Sequence, residues 1–349
     1  MLIAIISFMG DFNMKYIKIM LIIIIFILLV ILLGKLVSLK YITLYKEGSF
    51  ISDYYKEENP HDVIILGDCE AYTSFSPMVL YKEYGITSFV RGNSQQLIGQ
   101  AYYILKETLK VEIPKVVVLS VGAMRYNKGI KEEYNRLLLD KMKLSREKIE
   151  LINYSKMENE SFISYLFPII RYHSRISELT SDDIKYLFTD EVVSHNGFLI
   201  NKDIKPLKAL PTPKKLDNYS FSDDNISYLK KIVDLCKNSN ITLILEKSPT
   251  MYPYWYSEYD SFISNFASEN NIPYYNFIKE IDNIGLDFNY DTYDSGTHLN
   301  LTGATKFTRY FGNILKNTYN VNSNIDNRIK IDYNKKYERF MKEVNEKNS

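Results

Sequence analysis

Cysteine is nearly absent from this 349-residue chain, which holds only Cys69 and Cys236. Two thiols so far apart define no disulfide framework, and no Cys or His spacing suits a metal, so neither a disulfide scaffold, a metal nor another cofactor is expected. Net charge is also close to absent. With 43 basic and 42 acidic residues the formal balance is +1, which removes the electrostatic footprint that nucleic-acid binding requires. A small-residue cleavage site is missing after Gly34, so the apolar run that precedes it reads as a retained anchor and not as a removed signal peptide.

That run, Ile19 to Gly34, is uncharged and almost wholly aliphatic. With Lys18 and Lys35 snorkelling from its ends, its roughly sixteen residues can cross about 30 Å of hydrocarbon. A buried core helix would carry a polar face, and none is present. The expected organisation is a leader at 1–16, a transmembrane anchor at 17–39, one globular domain at 55–320 and a polar tail or terminal helix at 321–349. Flanking lysines do not fix the orientation, because Lys15 and Lys18 on one side are balanced by Lys35, Lys40 and Lys46 on the other. A short leader followed by one span and the whole domain fits a domain outside the cytoplasm, anchored to the cell membrane. Met14-Lys15 is an alternative start.

Behind the anchor the elements alternate. Asp62-Val-Ile-Ile-Leu66-Gly67-Asp68-Cys69-Glu70 is an apolar run that breaks into a polar cluster, as a buried strand does at its C-terminal edge. Ser76-Pro77 opens a helix, Ile86–Val90 is a second strand, and Gln95–Leu109 has a helical stripe. Lys115–Val121 is a third strand. The β-α-β-α-β pattern predicts a parallel sheet with helices on both faces. Regularity stops at about 126–218, read as a helical insertion covering the C-terminal edge of the sheet. It resumes with a helix capped by Ser222, whose stripe makes Cys236 a core residue, and with strands at Ile241–Glu246 and Pro273–Phe277. A last helix follows from Thr302.

Between the fifth strand and the last helix lies Asp291-Thr-Tyr-Asp294-Ser-Gly-Thr-His298-Leu-Asn300. An Asp four residues before a His, with Gly296 bending the loop, lets the carboxylate accept from Nδ1 and leaves Nε2 outward. That is the orienter and base of a nucleophilic triad. The alternative is a His that only caps the last helix. Cys69, just past the first strand, is the candidate nucleophile.

Gly67-Asp68-Cys69, Gly92-Asn93 and the Asp294 to His298 loop, in that order, resemble the SGNH or GDSL-like hydrolase superfamily. The likeness to membrane-anchored clostridial-type members includes Glu70-Ala71-Tyr72, Gln96, Met142-Lys-Leu-Ser145, Phe167-Pro168 and Arg171-Tyr-His173-Ser-Arg175. The resemblance implies an α/β fold, a three-layer α/β/α sandwich on a five-stranded parallel, flavodoxin-like sheet. It implies ester hydrolysis or acyl transfer on O-acyl groups of cell-surface polysaccharide, or on an acylated small molecule, in some relatives beside a membrane-bound O-acyltransferase partner. Cys69 then stands where the family has its nucleophilic Ser, His298 where it has the base and Asp294 where it has the acid. The backbone N–H groups of Cys69 and Gly92 match two oxyanion donors.

Two departures alter the expectation. Cysteine replaces serine, and the Asn expected after the third strand is missing from Val121-Gly122-Ala123, which leaves Asn93 as a substitute donor. A thiol beside a His and a helix N-terminus could form a thioester, which suits acyl transfer. The other reading is a catalytically inactive binding or scaffolding protein on the same fold. Arg171, His173 and Arg175, with Asp68 and Gln96, are candidates for substrate binding.

Overall fold

The alternating apolar runs pair into one parallel sheet. The structure, a computed structural model, describes residues 2–38, 50–127, 131–185, 187–188, 192–321 and 325–346, without the side chains of 2–13 and 182. Strands β1 (Val63–Gly67), β2 (Ser88–Gly92), β3 (Val116–Ser120), β4 (Thr242–Lys247) and β5 (Tyr274–Asn276) lie in the order β2-β1-β3-β4-β5. Val63 faces Ser88 on one side and Val116 on the other, and Val116 faces Thr242. Parallel neighbours bury both faces of a strand. Accordingly every residue of β1 and β3 is buried.

The chain divides into two compact units, Met1–Lys40 with Asn159–Glu191, and Tyr41–Glu158 with Val192–Ser349. In the first, helix α1 spans Leu2–Val37 and so runs back through the expected leader. Its stretch Met14–Val37 has a mean hydropathy of 3.3 and is long and apolar enough to cross a membrane. Lys40 and Lys46, used above in the flanking count, lie outside the described residues.

The second unit has three layers. Side chains alternate across a strand, so Val63, Ile65, Val116 and Val118 enter one core with Phe75, Leu80, Phe307 and Phe311. Their alternates Ile64, Leu66, Val117 and Leu119 point to the opposite face. The short helix α2 (Cys69–Ser74) follows β1, and α3 (Pro77–Tyr84) packs with α7 (Leu301–Asn317) on the first face. Helix α4 (Ile98–Thr108) packs with α5 (Arg146–Ser155) and α6 (Asp223–Asn238) on the second. Ser222 caps α6 as expected, its hydroxyl accepting from Asn225 N at 3.3 Å. Cys236 is buried on the inner face of that helix, and burial pushes its thiol up to about 12.

One reading of organisation changes, and one open alternative closes. The segment 126–218 is not one helical cover. Glu132–Leu139 and α5 stay with the second unit, 159–191 belong to the first, and 192–218 return without a helix. The polar ending is a helix, α8 (Asn327–Asn345), capped by Asp326. It is not solvated all round, because Tyr333 and Phe340 are buried and α8 packs on α3. The low apolar content of 321–349 hid these two anchors.

Strand β2 is an edge, and its outer rim is covered. Val90 N donates to Asn196 O at 2.9 Å, and Asn196 Nδ2 donates to Ser88 O at 3.1 Å. Gly197 permits the approach: its φ is +81°, and a Cβ there would lie 1.9 Å from Val90 O.

Just before β1, His61 is buried between Glu57 and Glu112, with Nε2 3.3 Å from Glu57 Oε2 and Nδ1 3.1 Å from Glu112. Burial lowers its pKa, but the two carboxylates outweigh burial and hold it above the ordinary imidazole value. A raised folded pKa contributes stability that is complete below the unfolded value of about 6.5 and is lost as pH rises through the folded one. The thermal midpoint of His61→Gln is therefore expected to fall furthest below the parent at mildly acidic pH, with the gap closing in alkali. Melting curves across pH check this, and a gap independent of pH would contradict it.

Candidate active site

Strand β1 ends on Gly67 because nothing larger fits. A Cβ there would sit 2.7 Å from Ser120 Cβ and 2.8 Å from Ala71 Cβ. The chain can thus turn directly from the strand into α2, with Asp68 as the cap: its Oδ1 accepts from Glu70 N at 3.0 Å. The Asp68 carbonyl accepts from Ala71 N at 3.1 Å and Tyr72 N at 3.4 Å. The N–H of Cys69 is not among those engaged by Asp68. Cys69 opens α2 and is partly exposed. It lies where β1 and β3 leave the sheet in opposite winding directions, the crevice that parallel α/β sheets use for ligands.

The second half of the site is the loop before α7. Asp294 Oδ1 accepts from His298 N at 2.7 Å, and Oδ2 is 2.5 Å from His298 Nδ1. The carboxylate therefore fixes both the backbone and the ring of the same histidine and places the proton on Nδ1. The Tyr293 ring stacks on the imidazole at 5.6 Å. Thr292 Oγ1 donates to His298 O at 2.8 Å and accepts from Gly296 N at 2.8 Å. Asn300 caps α7, accepting from Gly303 N at 3.1 Å. An extended strap lies along this loop, with Lys205 N donating to Thr292 O at 2.9 Å and Ser295 N donating to Lys205 O at 3.0 Å.

The two halves lie close enough that each influences the charge of the other, His298 favouring ionisation of the Cys69 thiol. Nε2 is buried and makes no hydrogen bond of regular geometry among the described residues. Burial and then Asp68 push the Cys69 thiol above its ordinary value, with His298 opposing them. Burial opposes charge on His298, whereas the Cys69 sulfur once it is a thiolate, and the Asp294 carboxylate, favour it, so the imidazolium is stabilised as the proton passes from sulfur to nitrogen.

Beneath Cys69 lies a buried ion cluster that the sequence reading missed. Glu70 accepts from Lys247 Nζ at 2.6 Å and from Arg125 Nη2 at 2.9 Å, and Arg125 Nη2 lies 3.7 Å from Asp68. Burial alone would raise Glu70, but Lys247 and Arg125 draw it down to about 2. Lys247 also donates to Ser248 O at 2.9 Å and Thr250 Oγ1 at 3.0 Å. Beside it on β4, burial pushes the Glu246 carboxyl up to about 7. The available signal was Glu246-Lys247, two charges closing an otherwise aliphatic strand. Their partners are distant in sequence, so spacing could not pair them.

The remaining candidates are placed as follows. Asp68 is the α2 cap and belongs to the cluster. Gly92 stands opposite Gly67 at the last register position. Asn93 is not a free oxyanion donor, since its amide group donates to Ser94 O at 3.3 Å and Tyr134 O at 3.1 Å. Gln96 is buried and its amide donates to Arg91 O at 3.3 Å, a loop-closing contact. Arg171, His173 and Arg175 lie in the first unit, where Arg175 donates to the Val37 carbonyl and, at 3.2 Å, to Asp183. On the Asp294 side an open recess of about 340 Å³ is lined by Leu207, Lys208, Tyr252, Asp294, Ser295 and Thr297. Among the described residues no cluster of three or more His, Cys, Asp or Glu could hold a metal ion.

No protein-family model matches the chain. No curated protein matches it. Among solved structures it is similar to a Bacteroides fragilis protein described provisionally as an acylhydrolase, at 12% identity with a TM-score of 0.35, over 75% of this chain and 89% of that one. At that distance the likeness has no bearing on the chemistry.

The thiol's environment makes a testable statement. Alkylation of Cys69 by iodoacetamide is expected to accelerate with pH up to an inflection above the ordinary thiol value, while buried Cys236 stays unlabelled. Removing the neighbouring carboxylate in Asp68→Asn moves that inflection to lower pH. Peptide mapping against pH reads both, and a rate flat from about pH 5 would mean a preformed thiolate instead.

Proposed function

We propose that this chain is a membrane-anchored, extracytoplasmic esterase or acyltransferase of the SGNH type, acting on O-acyl esters of cell-envelope polysaccharide through Cys69, His298 and Asp294. The observation that carries the reading is the 2.5 Å contact of Asp294 with His298 Nδ1, which leaves Nε2 without a hydrogen-bond partner among the described residues. The apolar α1 supports the anchor.

The steps follow from the atoms. His298 Nε2 takes the Cys69 thiol proton as sulfur attacks the ester carbonyl carbon. The oxyanion that forms is held by backbone N–H groups at Cys69 and Gly92. Collapse breaks the ester C–O bond, and the leaving alkoxide takes the proton from Nε2. The acyl group is then a thioester on Cys69. An acceptor hydroxyl or water gives its proton to Nε2, attacks the thioester and restores the thiol. Asp294 keeps the ring oriented and stabilises the imidazolium throughout. A thioester keeps its reactivity toward hydroxyl acceptors, so the cysteine favours transfer over simple hydrolysis.

The engaged Asn93 amide and the raised thiol favour one rival, a non-catalytic polymer-binding protein on the same fold. The two readings separate in one experiment. After incubation with an activated acetyl ester, mass spectrometry is expected to find the acetyl group on Cys69. Cys69→Ala loses it, and His298→Ala slows its formation about a hundred- to ten-thousandfold. Absence of any adduct, with polymer binding unchanged in Cys69→Ala, would leave the binding protein.

A further inference from the structure

The first unit pairs α1 with a segment that a simple membrane anchor does not need. Residues 162–188 form four short helical turns, at Phe162–Leu166, Ile169–Tyr172, His173–Glu178 and Ser181–Lys185. The last three of these pack on α1. The contact falls at the C-terminal end of that helix. The open side of Gly34 faces Pro168 Cδ and Ile169 N, each 3.8 Å from where a Cβ would be, and Val37 is wholly buried. Ser38 Oγ donates to Gly34 O at 2.7 Å, Arg175 donates to Val37 O, and Lys35 Nζ donates to Leu187 O at 3.4 Å. Two of the carbonyls that a helix leaves open at its end, those of Gly34 and Val37, are thus met by protein groups, as a bilayer edge demands.

This segment turns large apolar side chains outward between exposed polar ones such as Arg171, His173, Glu178 and Lys185, the mixture an interfacial segment carries. Ile163, Phe167, Ile170, Ile176, Ile184 and Phe188 are all exposed, Phe188 at 84%. Six large apolar side chains within so short a stretch are far more than solvent-facing turns carry by chance. Their height relative to a bilayer follows from α1. Lys18 and Lys35 are separated by about 26 Å of helix, close to the roughly 30 Å of hydrocarbon that snorkelling lysines bracket. The turns that pack around Gly34 and Val37 therefore lie at the boundary between acyl chains and headgroups. A lipid surface is the phase already continuous with the exposed apolar cylinder of α1.

We infer that residues 162–188 form an interfacial collar, embedded in the same bilayer face from which α1 emerges, with these six side chains immersed in lipid. The collar rests on the membrane-spanning reading of α1. It gives the Phe167-Pro168 and Arg171 to Arg175 motifs a lipid role in place of a substrate role. Short amphipathic segments lie in this way with their apolar side chains in the acyl boundary.

The test uses the full chain in phosphatidylcholine and phosphatidylglycerol vesicles, with an environment-sensitive fluorophore on Ile170→Cys or Phe188→Cys in a Cys69→Ala background. Ile25→Cys in α1 and Leu210→Cys, which is 72% exposed on the second unit, are the references. Labels at 170 and 188 are expected to shift to the blue, to be quenched by shallow doxyl lipids and to lose iodide quenching, whereas 210 behaves oppositely. Iodide quenching at 170 and 188 with lipid quenching kept at 25 overturns the collar alone. Iodide quenching at 25 as well overturns the anchor beneath it. Protection from both quenchers at 170 and 188 would mean a protein partner and also overturns the collar. Photoactivatable phospholipid added to the unmodified chain gives an independent readout, with adducts expected within 162–188, and adducts on α1 alone again overturn the collar.

Discussion

One carboxylate holds the site's floor together. Glu70, from the first turn after β1, is shared between Lys247 at the end of β4 and Arg125 just after β3. Three strand ends are thereby fixed to one another at the edge where Cys69 emerges. Removing one partner of such a buried pair costs about 3–5 kcal/mol, because the remaining charge has no water to turn to. The cluster is balanced, with Asp68 and Glu70 against Arg125 and Lys247. The thiol above it therefore sits over fixed dipoles and not over a net positive field, and burial with the adjacent Asp68 keeps it protonated.

That electrostatic setting shapes the chemistry more than the exchange of oxygen for sulfur does. A cysteine activated as a resting thiolate needs a positive surrounding, which is not what Asp68 supplies. In the proposed reaction His298 must remove the proton during attack. Asp294 is the group that makes this feasible, since it anchors both the backbone nitrogen and the ring of the same residue. The strap at 201–207 then fixes the loop from outside, so the base is held by its own chain on two sides.

The sheet was legible because parallel strands announce themselves as aliphatic runs, and the expected strands match β1 to β5 within one or two residues at most ends. The place of Cys69 after β1 and the contact of Asp294 with His298 were legible through local chemistry, a polar break after a strand and an Asp four residues before a His. Other parts were not. The Glu70 cluster joins positions up to 177 residues apart. Helix α8 is attached by two aromatics in a charged background. The 159–191 segment carries arginines that resemble a binding motif, yet Arg175 is engaged at the end of α1. In each case the deciding contact is long-range, and local pattern holds no trace of it. Asn93 shows the same limit on a smaller scale, since only the fold reveals that its amide is already occupied by two carbonyls.

The covered rim of β2 has a consequence wherever copies of the chain are brought close together. Two copies of the chain that meet can present their sheet edges to each other. A bare strand edge would then template chain-to-chain growth. Asn196 and Gly197 close the β2 side, and β5 on the other side is only three residues long. Crowding can therefore bring neighbouring copies side by side without fusing them into a ribbon.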